Sequence, residues 1–285
     1  GTAATANTAY ASGGISGLGN EAVTLSDTSL ASSVLNTLDG NTTGTVNAAT
    51  VTTLTGTAAT ANTAYASGGI SGLGNEAVTL SDTSLASTVL NTLDGNTTGT
   101  VNAATVTTLT GLAADANTAY ASGGISGLGN EAVTLTDTAA VALTLHTLDS
   151  NTTGSIDAAT VTSITGLSPT VITIYSSNGI TGLGNEAITL SGNTSVANTN
   201  SVAALTTGVV TATITEGDMS TLAGLTETGN AYTVTITDSS VASSALNTLD
   251  GKTTVAVNAA AVTTLTGLAA DANTAYASSG ISGLG

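Results

Sequence analysis

The feature that most constrains this chain is that it repeats itself. GISGLGNEAVTLSD begins at Gly14 and returns letter for letter at Gly69, then returns as GISGLGNEAVTLTD at Gly124 and GITGLGNEAITLSG at Gly179. Gly1, Gly56, Gly111 and Gly166 open equivalent blocks, so the period is 55 residues. The first two blocks differ only at Ser33 against Thr88. A fixed period of this order signals stacked repeats, in which one unit hides its apolar edges only against a neighbour. The blocks are read as 1–55, 56–110, 111–165, an irregular 166–223, a shortened 224–266 and a partial 267–285. Residues 267–285 replay the phase of 1–19, which predicts one continuous array and further blocks beyond it.

Within a block the pattern alternates between strand and helix. EAVTLSD at 21–27 sets Val23 and Leu25 against Thr24 and Ser26, the period of a half-buried strand. In the next stretch Ser26 or Asp27 is a candidate N-cap, Leu30, Val34, Leu35 and Leu38 share a helical face, and Gly40 marks the stop. NTTG at 41–44 is a turn, and TVNAA at 45–49 is a short strand with Val46 and Ala48 on one side. Val51, Leu54, Ala58, Ala61 and Tyr65 form a helical stripe interrupted at Gly56. ATVTTLTG is therefore read as a turn or short helix, and TAATANTAYAS as an Ala-rich helix. The expected fold is an α/β solenoid, a right-handed stack with a parallel ladder on one side and short helices on the other. The expected coils are of roughly 23 and 32 residues, and a pure parallel β-helix is the alternative. In such a stack Tyr10, Tyr65, Tyr120, Tyr175 and Tyr276 would form a column.

Composition agrees with a thin core. Aromatic residues make up 2% and all are Tyr, so no bulky side chain fills the middle of a wide globule. Eighteen acidic residues face one Lys252, a net charge of −17, which argues against nucleic acid and against an anionic membrane surface. No apolar run is long enough to span a bilayer, and the absence of Cys excludes disulfides. Irregularity is expected where Pro169 enters, where 191–205 loses the LNTLD phrase, and where 209–223 inserts Glu216, Asp218 and Met219.

Candidate chemistry is sparse. Asp39, Asn41, Thr43 and Gly44 resemble the first half of a calcium loop, but its twelfth position is Thr50 where a Glu belongs. The pattern recurs at Asp94/Asn96 and Asp149/Asn151 and is spoiled at Asp250 by Lys252; an Asx-turn is the favoured reading. Gly17, Gly19 and Ala22 loosely match a dinucleotide fingerprint, which would have to open a helix and here precedes a strand. His146 stands where Asn36 and Asn91 stand elsewhere, a helix-face substitution rather than a catalytic base. Glu21, Glu76, Glu131 and Glu186 are read as a surface column of one carboxylate per block, favouring solubility, with attraction of divalent ions as the alternative. Asn41, Asn96, Asn151 and Asn193 head glycosylation sequons. The Thr runs VTTLT and VTSIT raise an ice-binding face, which needs flat Thr ranks on every coil.

The phrase LNTLDGNTTGTVNAATVTTLTGTAATANTAYASGGISGLGNEAVTLSDTSL resembles tandem repeats of very large secreted or cell-surface proteins of bacteria, notably marine cyanobacteria. That resemblance implies an extracellular or cell-surface location and a structural, adhesive or motility-related role. It covers nearly the whole chain, with gaps at 191–223 and around 226–232. The expected function is a structural repeat segment of a giant extracellular filament, sheath or adhesin, a spacer and self-association surface. A calcium-responsive extracellular binding module is the alternative. Expected partners are further copies of the chain, and polysaccharide or the cell surface. No enzyme site, resident cofactor or metal centre is assigned.

Overall fold

A computed structural model describes all 285 residues. The chain divides into two compact units, Gly1–Thr136 with Ser150–Asp157, and Asp137–Asp149 with Ala158–Gly285. Short helices alternate with short strands, and every strand pairing is parallel.

Eleven helices occur in chain order: α1 (Ala3–Tyr10), α2 (Ser32–Asn41), α3 (Ala58–Ala66), α4 (Ser87–Asn96), α5 (Ala113–Ala121), α6 (Ala142–Asn151), α7 (Ser168–Ser176), α8 (Val196–Ala203), α9 (Met219–Leu222), α10 (Ser243–Asp250) and α11 (Ala269–Ala277). The Ala-rich segment is thus helical as its composition predicts. In the first unit α1 packs on α2, α2 on α3, α3 on α4 and α4 on α5. Each helix buries only a narrow stripe, Leu35 and Leu38 in α2 or Ala58, Ala61 and Ala64 in α3. The α3 stripe is made of small residues, the α2 stripe of Leu beside the buried Ser32.

The first unit holds three ladders. Leu30 pairs with Leu54, Leu54 with Val78, Val78 with Val101 and Ile125 with Val101, a line of inward apolar side chains. Leu85, Leu109, Val133 and Ile156 form a second line, and Val23, Val46 and Ile70 a third. Partners lie 23 or 24 residues apart throughout, so the expected alternation of roughly 23 and 32 is replaced by one nearly constant spacing. In the second unit Ala140, Ile164, Ile188 and Val210 continue the same logic, and Val241 pairs with Leu265.

Two local expectations fail for the same reason. Thr53–Gly56 is a strand, paired on both sides, where a turn or short helix was expected. Thr53 and Thr55 alternate with Leu54, a β-favouring pattern, and Gly56 takes φ 135°, which ends any helical reading. Helix α2 starts at Ser32, after the strand Ser29–Ala31, and its N-cap Ala31 makes no side-chain bond. Ser26 and Asp27 therefore do not cap it. Pairing of 29–31 with 53–55 outweighs local capping preference.

The expected irregularity lies where the sequence breaks. Register shifts between Thr189 and Asn193. Partner spacing falls from Ile188↔Val210 to Thr213↔Thr233, and α9 shrinks to four residues. Pro169 causes no break, because it sits in the first turn of α7, where a missing N–H costs nothing.

Candidate functional site

The chain's polar chemistry is spent on ties between successive turns of backbone. The first tie caps helices from a distance. Asp27 Oδ2 accepts the N–H of Ala3 at the start of α1, and Asp82 Oδ2 that of Ala58 at the start of α3, each at 2.8 Å. A carboxylate there satisfies an orphan donor and faces the positive end of the helix dipole. Thr2 and Thr57 cap the same helices locally. In α5, α7 and α11 that Thr becomes Leu112, Leu167 and Leu268, which are exposed and make no cap bond.

The second tie uses the residues of the proposed calcium turn. Asp39 and Asn41 lie inside α2 rather than in an open loop. Asp39 accepts the Ser67 hydroxyl at 2.6 Å, and a Cβ on Gly69 would fall 2.1 Å from its Oδ1. Asp94 with Ser122, Asp149 with Ser177 and Asp250 with Ser278 repeat the arrangement at 2.7, 2.8 and 2.7 Å. Asn41 donates to the side-chain carbonyl of Asn7, Asn96 to Asn62 and Asn151 to Asn117, each at 3.0 Å. Thr43 donates to the Gly19 carbonyl and Thr50 to those of Leu25 and Asp27. These residues therefore bind neighbouring protein groups. Three of the four sequon asparagines are engaged in the same Asn–Asn ties, whereas Asn193 is exposed.

The third tie overturns the reading of a surface carboxylate column. Glu76, Glu131 and Glu186 are 0% exposed. Each accepts the hydroxyl of the Tyr eleven residues earlier, Tyr65, Tyr120 or Tyr175, and the N–H of Gly74, Gly129 or Gly184. The carboxylate thereby closes the glycine-rich return on itself. Gly74 has φ 137°, a conformation open to glycine, and Gly99 presses so closely on this loop that a Cβ would lie 2.3 Å from the Glu76 carbonyl oxygen. Oε1 of Glu76 and of Glu131 is buried without a protein partner. Burial first, then the adjacent carboxylate, pushes the Tyr65, Tyr120 and Tyr175 phenols up. At Glu21, in the first block, the Gly19 N–H holds the carboxyl below its ordinary range. Tyr10, Tyr65, Tyr120 and Tyr175 each donate to the glutamate of their own block, whereas Tyr276 is exposed.

Gly17 and Gly19 take φ 86° and 139° in a turn that leads into Val23–Thr24, so no helix N-terminus is presented for a pyrophosphate. His146 lies in α6 at the position where Asn36 and Asn91 donate to the carbonyls of Thr60 and Asp115 on the next helix. The ladder position of Ala31, Thr55 and Thr79 continues as Asn102 and Ser126, so Thr does not rank on every turn. The Asp27-to-Ala3 cap and the Tyr65–Glu76 pair have no local motif, and their one signal in the sequence is a separation that stays constant from block to block. No family model matches the chain, and neither a curated protein nor a solved structure matches it.

Proposed function

We propose that the chain is a structural segment of a giant extracellular filament, sheath or adhesin, a right-handed α/β solenoid working as a spacer and as a self-association surface. The single observation that supports this most is the reuse of identical ties. Asp27, Asp39 and Asn41 are committed to groups 24 to 34 residues away in the chain, block after block, and Glu76 to the Tyr65 hydroxyl within its own block. A chain whose every turn is a bracket for the next gains length from added blocks, not girth. One Lys against 18 acidic residues leaves almost no site for trypsin-like proteases, which suits an exposed location.

The test is growth. A further copy of residues 1–55 inserted after Thr55 should lengthen the particle in small-angle scattering by about 10 Å, two strand spacings, with an unchanged cross-section. Growth of the radius of gyration with about the 0.38 power of length, as for a globule, would refute the proposal. Negative-stain images of native cell-surface material, labelled with an antibody to block 1, test the location.

A further inference from the structure

Three departures from the repeat coincide in the second unit. Helix α9 has four residues where the other helices have eight to ten. Its shortness leaves an apolar groove of about 210 Å³ between α9 and α10, lined by Leu222, Ala223, Ala245, Thr248, Leu249 and Lys252. Leu222 and Leu249 are buried at 0% and 2% exposure and form its floor. Lys252, the chain's one cationic side chain, replaces the Asn that ties helices together at Asn41, Asn96 and Asn151.

We propose that this groove binds a small aliphatic or aromatic monocarboxylate, its tail on Leu222 and Leu249 and its carboxylate on the Lys252 ammonium. The ammonium donates to the Thr226 carbonyl at 2.8 Å, rather than to any of the chain's carboxylates. An ammonium has three donors, so two remain for an anion at the rim. Charge complementarity selects the ligand class: a cation over an apolar slot suits an amphipathic anion and disfavours an amine. Size limits it further. A cavity of about 150 Å³ accepts benzene, so this groove takes a ring or a chain of about six to eight carbons.

The test is a methyl-resolved NMR titration of the full chain with octanoate, octanol and octylammonium. Octanoate should shift the Leu222 and Leu249 methyls saturably, with millimolar to high-micromolar affinity expected for so few atoms. Octanol should bind about tenfold more weakly, and octylammonium should not bind. Lys252→Met should cost octanoate about tenfold in affinity while Lys252→Arg retains it. Ala245→Leu, which fills the slot without touching the cation, should abolish binding of both octanoate and octanol. Equal affinity for octanoate and octanol, undiminished binding by Lys252→Met, or no saturable shift at all would overturn the proposal.

Discussion

The ladder of residues 29–126 and the stretch 187–233 solve the same problem under different constraints. In the first, partners sit 23 or 24 residues apart and every helix runs eight to ten residues. In the second, the spacing drops to 22 and then 20, and one helix shrinks to four. The Asn–Asn tie disappears from the shortened stretch. The carboxylate cap does not. Glu216 accepts the N–H of Val196 and Asp238 that of Met219, across 20 and 19 residues, where Asp27 and Asp82 reach across 24. The lesson is a hierarchy: parallel pairing and the remote cap persist where the spacing changes, whereas the Asn–Asn tie does not, and Val241 still pairs with Leu265 across 24 residues where Lys252 replaces the Asn.

Substitutions at matched positions can break that hierarchy. The largest effect belongs to Gly99→Val, whose Cβ would meet Glu76 backbone 2.3 Å away. A loss of at least about 4 kcal/mol in chemical denaturation is expected, against a change within about 0.5 kcal/mol for Gly68→Ala, which has nothing within 4 Å. Equal effects would show that close approach of turns does not hold the regular ladder. Next is Leu54→Ala at a fully buried ladder position, expected to cost about 3 kcal/mol.

Alkaline pH sharpens the comparison. The phenols of Tyr65, Tyr120 and Tyr175 are raised above their ordinary value of about 10. The folded chain then holds more protons than the unfolded chain above that pH. Their contribution is complete below about pH 10 and is lost as pH rises further. Thermal melts should show this decline, and the triple Tyr→Phe variant should flatten it.

Caps come next. Asp82→Ala in the regular ladder and Asp238→Ala in the short one should each cost about 1 kcal/mol. A cost at Asp82 alone would demote the cap from the shared architecture. Asp218, which caps α9 locally, is held below its ordinary range by the Ser220 hydroxyl and then by Thr221. That local support is present above the ordinary carboxyl range and lost as pH falls through the depressed value. The smallest effect is a gain: Leu112→Thr restores the cap seen at Thr57 and should stabilise by about 0.5–1 kcal/mol.

Much of this architecture was legible in the repeated phrase. The alternation around Val23 and Val46, the Ala-rich helix and the irregularity after residue 190 follow from side-chain periodicity and from broken repetition. The misreadings share a physical cause. Thr53–Gly56 and Asp27 take their roles from residues 24 positions away, and no local propensity encodes that distance. Glu76 looked like a surface charge because sequence shows the carboxylate but not the Tyr65 hydroxyl and Gly74 N–H that receive it.

The mismatch between a 55-residue phrase and a 23–24-residue pairing distance carries an evolutionary consequence. Copies never face copies, because the neighbour of each strand is a different part of the phrase. Unequal crossing-over between identical gene segments inserts or deletes whole phrases, and such an event leaves every surviving contact with its former kind of partner. A deletion of part of a phrase instead changes the kind of partner that each strand meets across the junction. Natural variants should therefore differ in chain length by whole phrases, as a chain-link fence is sold by the panel.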